Sequence, residues 1–396
     1  MTRVSRVPGR TILVAALLLI GAAAMAGGCG GDDSEGGDDG VVLGEDEPPA
    51  RRRGDDRGSE RGGRPAVPLE RLVGQKIMAR YKGPEPSSDL LRRVRAGQVG
   101  GVILFPDNRR SDDQLEKALA QLQDEARKGG SPGLLVSVDQ EGGQVSRFPG
   151  PPDMTAPQIG RTGSAETASD EGSATGRYLA RLGVNVDLAP VVDVPTSRRS
   201  FITERAFSMD TGLTGELGAA FAAGLQEAGV AATAKHFPGI GASIKSTDVA
   251  SVEVKPTPQQ FTEALTPFEE TVESGGAALV MVATAVFPSY DRRNPAAFSR
   301  EIVRGELRGK LGFEGVIITD DLEGRAVTAV ASPSRAAVAA TQAGVDVVLF
   351  AKSENASKQA YAALLEAARS GRVDRTELEE SYARIDRLQT DFAGGP

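Results

Sequence analysis

The chain has 396 residues, 40% hydrophobic and 25% charged, with 54 acidic against 46 basic side chains and a net charge of −8. That balance suits a globular protein with room for one large α/β barrel plus extensions, or two to three average domains, and it lacks the basic face a nucleic-acid partner requires. One cysteine excludes an internal disulfide framework and a multi-Cys metal centre, one histidine excludes a His-pair metal site, and the absence of Trp argues against a long sugar-stacking platform.

The chain opens on an address. Arg3, Arg6 and Arg10 give a positive start, and residues 11–26 form an uncharged, mostly apolar run. The run is shorter than the roughly 20 residues of a membrane-spanning helix and is followed by small residues, the pattern of a secretory signal. It ends in Ala26-Gly27-Gly28-Cys29, which resembles the bacterial lipoprotein box with Ala26 in place of the usual Leu. The resemblance implies that Cys29 becomes the lipidated first residue of the mature chain, anchored to the outer face of the cell membrane. A plain cleaved signal with an incidental Cys is the other reading. Residues 30–64 are rich in Gly, Asp, Glu and Arg and nearly devoid of apolar side chains. Such a segment cannot bury enough surface to offset its ordering entropy, so it reads as a disordered acidic tether.

From residue 65 to 396 one period repeats: short apolar runs alternate with longer helical patterns. The strand candidates are 76–81, 101–105, 134–139, 184–192, 231–236, 278–285, 315–320 and 345–350. Several are nearly continuous apolar runs, as expected of parallel strands covered on both faces. Helical patterns such as 112–128, 212–228 and 258–274 separate them. Eight strands alternating with helices predict a single (β/α)₈ TIM barrel with extra C-terminal helices. Neither a dinucleotide-binding glycine fingerprint nor a phosphate loop is present. The sequence implies no cofactor and no metal.

In such a barrel the residues that close each strand converge on one mouth. Strand three runs into Asp139-Gln140-Glu141, strand four into Asp193 and a long loop carrying Arg205, strand five into Lys235-His236, and strand seven into Asp320-Asp321. Singly, Asp139 and Asp321 are also plausible helix caps, and Lys235 and His236 an ion pair and a packed ring. Together, carboxylates without a cofactor signature suit hydrolysis of an acetal, which needs a nucleophile or base and an acid.

Five motifs now carry a family resemblance: G-G-V-I-L-F at 100–105, V-S-V-D-Q-E-G-G-Q-V-S-R at 136–147, N-V-D-L-A-P-V-V-D-V at 185–194, A-K-H-F-P-G at 234–239 and L-G-F-E-G-V-I-I-T-D-D-L at 311–322. In this order they resemble glycoside hydrolase family 3, in its single-domain bacterial β-N-acetylglucosaminidase branch. The resemblance implies a retaining, two-step mechanism with Asp320 as nucleophile. It also implies that Asp139, Arg147, Arg205, Lys235 and His236 bind a carbohydrate substrate.

The chain departs from that branch where the proton transfer belongs. The branch's Asp–His pair after strand five falls here on Ser246 and Asp248, its first loop His on Ile240, and a strand-six His on Thr284. Asp248 is the surviving candidate acid, provided that a dry pocket and the Asp320 charge raise its pKa. Two functions follow. One is a surface-anchored hydrolase that removes terminal β-linked N-acetylglucosamine or a related sugar from cell-wall fragments or other glycosides. The other is a catalytically weakened barrel that binds sugar or a partner.

Overall fold

The computed structural model describes residues 66–394. The signal, Cys29 and the tether to residue 64 lie outside the described residues. Eight parallel strands make the core: β1 Ile77–Arg80, β2 Gly101–Ile103, β3 Leu135–Val138, β4 Val186–Asp187, β5 Ala231–Phe237, β6 Leu279–Val282, β7 Val316–Thr319 and β8 Val348–Phe350. They pair in chain order, with β8 against β1. The sheet closes through a parallel bridge between Ile318 and Val347, where the Thr319 N–H donates to the Val347 carbonyl at 3.0 Å. The architecture is the (β/α)₈ barrel expected from the alternation, and each strand falls within its expected window or overruns it by one residue.

Side chains alternate across the barrel wall as a period of two requires. Met78, Ile103, Leu135, Val186, Leu279, Ile318 and Leu349 fill the interior. Ile77, Ala79, Val136, Val280 and Ile317 face outward into the larger apolar layer beneath the helices. Strand four is shorter than its apolar run suggests. The ladder stops after Asp187, and Pro190 brings no N–H to extend it; Val191 returns only as an isolated bridge to Lys235.

The helices that alternate with the strands are α1 Ser88–Arg95, α2 Asp112–Lys128, α3 Ala165–Arg181, α4 Thr211–Glu227, α5 Pro258–Glu273, α6 Pro333–Ala343 and α7 Glu354–Arg369. A π-helical segment, Glu301–Lys310, takes the place of a regular helix between β6 and β7. Most start on a side chain that accepts a first-turn N–H: Ser111 for α2, Asp210 for α4, Thr257 for α5, Ser332 for α6. Each such cap contributes about 1 kcal/mol. The last helix, α8 Arg375–Phe392, closes the end of the barrel where the strands begin. Its Ile385 and Leu388 join the interior cluster, and Gln389 donates to the Gly100 carbonyl at 3.1 Å. The opposite end, where the strands finish, stays open.

Candidate active site

The open end holds a cavity of about 320 Å³. Its floor is Ile103, Leu188, Met281 and Leu349 of the barrel interior. Asp139, Arg147, Arg205, Lys235, His236, Asp248 and Asp320 all line its walls. The seven residues to which the sequence gives a catalytic or substrate-binding role therefore line one cavity.

Asp139 follows β3 and faces Lys235, whose Nζ lies 2.8 Å from its Oδ1; Arg147 Nη2 lies 3.2 Å from its Oδ2. Burial opposes ionisation of Asp139, but the Lys235 and Arg147 charges outweigh it and hold the carboxyl at about 2. Lys235 is itself almost fully buried and reaches a second carboxylate, Glu141, at 2.6 Å. Burial alone would lower its ammonium; the two carboxylates raise it above the ordinary lysine value. Glu141 also takes a bidentate pair from Arg205, at 2.7 and 2.6 Å. The result is a chain of alternating charge, Arg147–Asp139–Lys235–Glu141–Arg205, across β3, β5 and the loop after β4. Glu141 sits in a small hairpin, Gln140–Gly142 with Val145–Ser146, which the sequence reading did not foresee.

His236 is fixed by Asp193, the residue into which strand four runs. Its Nδ1 lies 2.7 Å from Asp193 Oδ2, and the same carboxylate accepts the backbone N–H groups of His236 at 3.1 Å and Ile240 at 2.7 Å. The Asp193 contact occupies Nδ1 and leaves Nε2 as the ring nitrogen open to other partners. The pairing register of β5 on β6 shifts between Lys235 and Phe237, an irregularity of the kind that re-aims a side chain. The signal for Glu141 and Asp193 was present, since both stand in the quoted motifs. The sequence places both after strand ends but assigns neither a role, because each acts through a partner on another strand or loop.

Asp320 directly follows β7. Its Oδ1 accepts the Asp321 N–H at 2.7 Å, and the Thr247 hydroxyl lies 3.4 Å from its Oδ2. Burial, with the Asp248 charge behind it, pushes the carboxyl up to about 6 against the opposing pull of His236. Asp321 is not a cap. It braces the loop after β7, accepting from Glu323 N at 3.0 Å and Ala351 N at 3.1 Å. Asp139, committed to Lys235 and Arg147, caps nothing either.

Asp248 sits on the loop between β5 and α5, and its setting differs from the dry one expected. The residue is exposed, and its Oδ2 accepts from the Ser246 hydroxyl at 3.1 Å. The more buried carboxyl of the pair is Asp320. Two backbone bonds hold the loop to the segment after β7: Ala326 N–H to the Thr247 carbonyl at 2.9 Å and Arg325 N–H to the Asp248 carbonyl at 3.1 Å. A Cβ at Gly241 would collide with the Val194 carbonyl, so the loop can pass there only as glycine.

A closed parallel barrel with its charged groups gathered at the strand ends is the build of an α/β-barrel enzyme. Residues 69–388 match the glycosyl hydrolase family 3 N terminal domain, and the chain belongs to that family. It is 34% identical over 338 residues to an uncharacterized secreted glycosyl hydrolase of Arthroderma benhamiae, covering 82% of this chain and 95% of that one. It is 35% identical over 275 residues to a β-hexosaminidase of Nitrosomonas eutropha, covering 67% and 77%. Among solved structures it resembles a family 3 β-N-acetylglucosaminidase from Paenibacillus sp. str. FPU-7, with TM-score 0.80 and 34% identity over 84% of this chain. It spans 64% of that longer protein.

Proposed function

We propose that the protein is a retaining glycoside hydrolase that removes terminal β-linked N-acetylglucosamine, or a closely related sugar, from cell-wall fragments or other glycosides. We assign the nucleophile to Asp320 and the acid/base to Asp248. The observation that carries the reading is that a half-buried carboxyl, Asp320, and an exposed one, Asp248, line one small dead-end cavity in a family 3 barrel. A cavity closed on its floor admits the end of a chain, which suits exo action.

In the first step the ionised Asp320 attacks the anomeric carbon while Asp248 gives a proton to the departing glycosidic oxygen. In the second, Asp248 takes a proton from water, which displaces Asp320 and restores both groups. Asp139, Arg147, Lys235, Arg205 and His236 hold the sugar hydroxyls, with carboxylate and imidazole accepting or donating and the cations adding charge-assisted bonds. Their interlocked charges keep the side chains in place before substrate arrives. Cys29 is assigned the lipid anchor that keeps the enzyme on the outer face of the membrane; similarity to a secreted relative supports an extracellular setting.

Hydrolysis of an aryl β-N-acetylglucosaminide by the purified chain, beside Asp320→Asn, tests the assignment. Turnover is expected in the parent and a loss of at least about 10³-fold in the variant, the scale of removing a group that acts in the reacting bond. Undiminished turnover in the variant would remove Asp320 from the role. A folded parent that binds the sugar without cleaving any glycoside of a panel would instead establish a sugar-binding barrel.

A further inference from the structure

A second cavity, of about 280 Å³, lies at the other end of the barrel, between the strand beginnings and α8. Its wall includes Lys76, 1% exposed, whose Nζ donates to the Val345 carbonyl and to Ser381 Oγ, both at 2.8 Å. Both acceptors are neutral, and the ammonium makes no ion pair among the described residues. Beside it, Arg308 and Arg384 converge on the fully buried Asp346, at 2.5 Å and 3.0 Å. The Ile317 N–H also donates to Asp346, at 2.9 Å, so that carboxylate is saturated. Arg304 pairs with Glu377 at 2.9 Å. With Glu380, four cations line the cavity against three carboxylates.

A surplus buried cation is costly unless an anion compensates it. Burial already drives the Lys76 ammonium down to about 8. Two further polar atoms on this wall have no partner among the described residues: Thr341 Oγ1, on a residue 4% exposed, and Arg304 Nε. Buried polar groups are paired in the great majority of cases, so unpaired donors clustered on one cavity mark a missing acceptor. Lys76 Nζ has a third proton to give, Arg304 Nε one, and Thr341 Oγ1 one.

We propose that this cavity binds a small tetrahedral oxyanion of the phosphate or sulfate class. The anion would take bonds from Lys76, Arg304 and Thr341 and fasten α8 to the barrel floor. The site is separate from the mouth that holds Asp320, so it tests independently of the glycosidase reading. It belongs to the folded state alone, and its ligand therefore stabilises the fold by mass action.

Calorimetric titration of the full chain with inorganic phosphate and with sulfate, at ionic strength held constant with potassium chloride, is the test. One saturable site is expected, with a rise in Tm that follows its occupancy. Lys76→Met and Thr341→Val should each weaken binding by about tenfold or more, the scale of a charge-assisted bond, while Asp320→Asn binds as the parent does. If Lys76→Met does not fold, Thr341→Val, which keeps the side-chain shape, carries the comparison. Absence of saturable binding to either anion would overturn the proposal. So would binding that Thr341→Val leaves unchanged, or binding that Asp320→Asn abolishes, which would move the anion to the mouth.

Discussion

Asp320 is caught between two demands. Attack on carbon needs the ionised carboxylate, yet burial and the charge of Asp248 favour the proton and put the group at about 6. Between the ordinary aspartate value of 3.8 and about 6, the unfolded chain has released this proton while the folded chain keeps it. Stability therefore falls as pH rises through that window and stays lowered above it. Asn cannot ionise, so Asp320→Asn should raise Tm at pH 7.5, and the gain should vanish toward pH 4. The same titration sets activity on activated aryl glycosides, which need little help from an acid: their kcat/KM in the parent should rise with pH through an acid limb near 6. Asp248→Asn removes the neighbouring charge and should move that limb lower. It should also cost about 10²–10⁴ in kcat on glycosides with poor leaving groups, and far less on activated aryl glycosides. A pH–rate profile of both proteins on the two substrate types reads all of this. An unmoved limb, or equal losses on both substrates, would take Asp248 out of the acid role.

At the scale of elements, the two proposed catalytic carboxyls stand on different loops, and their spacing depends on how those loops are joined. The join is the pair of bonds from Ala326 and Arg325 to the Thr247 and Asp248 carbonyls. Ala326 lies in the first turn of a short helix, Arg325–Thr328, where its N–H has no intrahelical acceptor. Ala326→Pro should therefore delete the bond to Thr247. Stability should drop by about 1 kcal/mol. Turnover should fall by about tenfold to a hundredfold, mostly in kcat, because small displacements of a reacting group are costly. A fall confined to KM would show that the join does not position the acid loop. Such joins were not legible in the sequence. The eight strands were, because runs such as G-V-I-I-T at 315–319 have a signature that survives without neighbours. Asp320, Lys235 and His236 were legible because strand ends of a parallel barrel point one way. Glu141 and Asp193 were not assigned, because their roles arise from pairing with Lys235, Arg205 and His236 across the barrel mouth. The burial expected around Asp248 falls in part on Asp320 instead, and burial is a property of the packed chain that local pattern does not encode.

Across the whole molecule, the proposed address and the proposed chemistry occupy separate stretches of chain. Among the described residues, those lining the mouth lie between Arg80 and Lys352, whereas the proposed anchor is Cys29. If Cys29 carries a diacylated group, two acyl chains give lasting membrane attachment, where one would give only marginal, reversible binding. Removing the thiol should then change location without changing chemistry. Cys29→Ser, expressed in a bacterium that processes lipoproteins, should shift the protein from the membrane pellet to the soluble or culture fraction. The kcat per folded molecule on a soluble aryl glycoside should stay within about twofold, since surface and terminal changes far from a site are usually near neutral. Fractionation with an activity assay on each fraction separates the outcomes. A variant that stays in the pellet would rule out Cys29 as the anchor and leave the apolar run of residues 11–26 as the attachment, because that run is the other apolar stretch ahead of the barrel. A variant that is released but loses activity on the soluble substrate would mean that the chain's first thirty residues contribute to the barrel's chemistry, contrary to the separation drawn from the sequence.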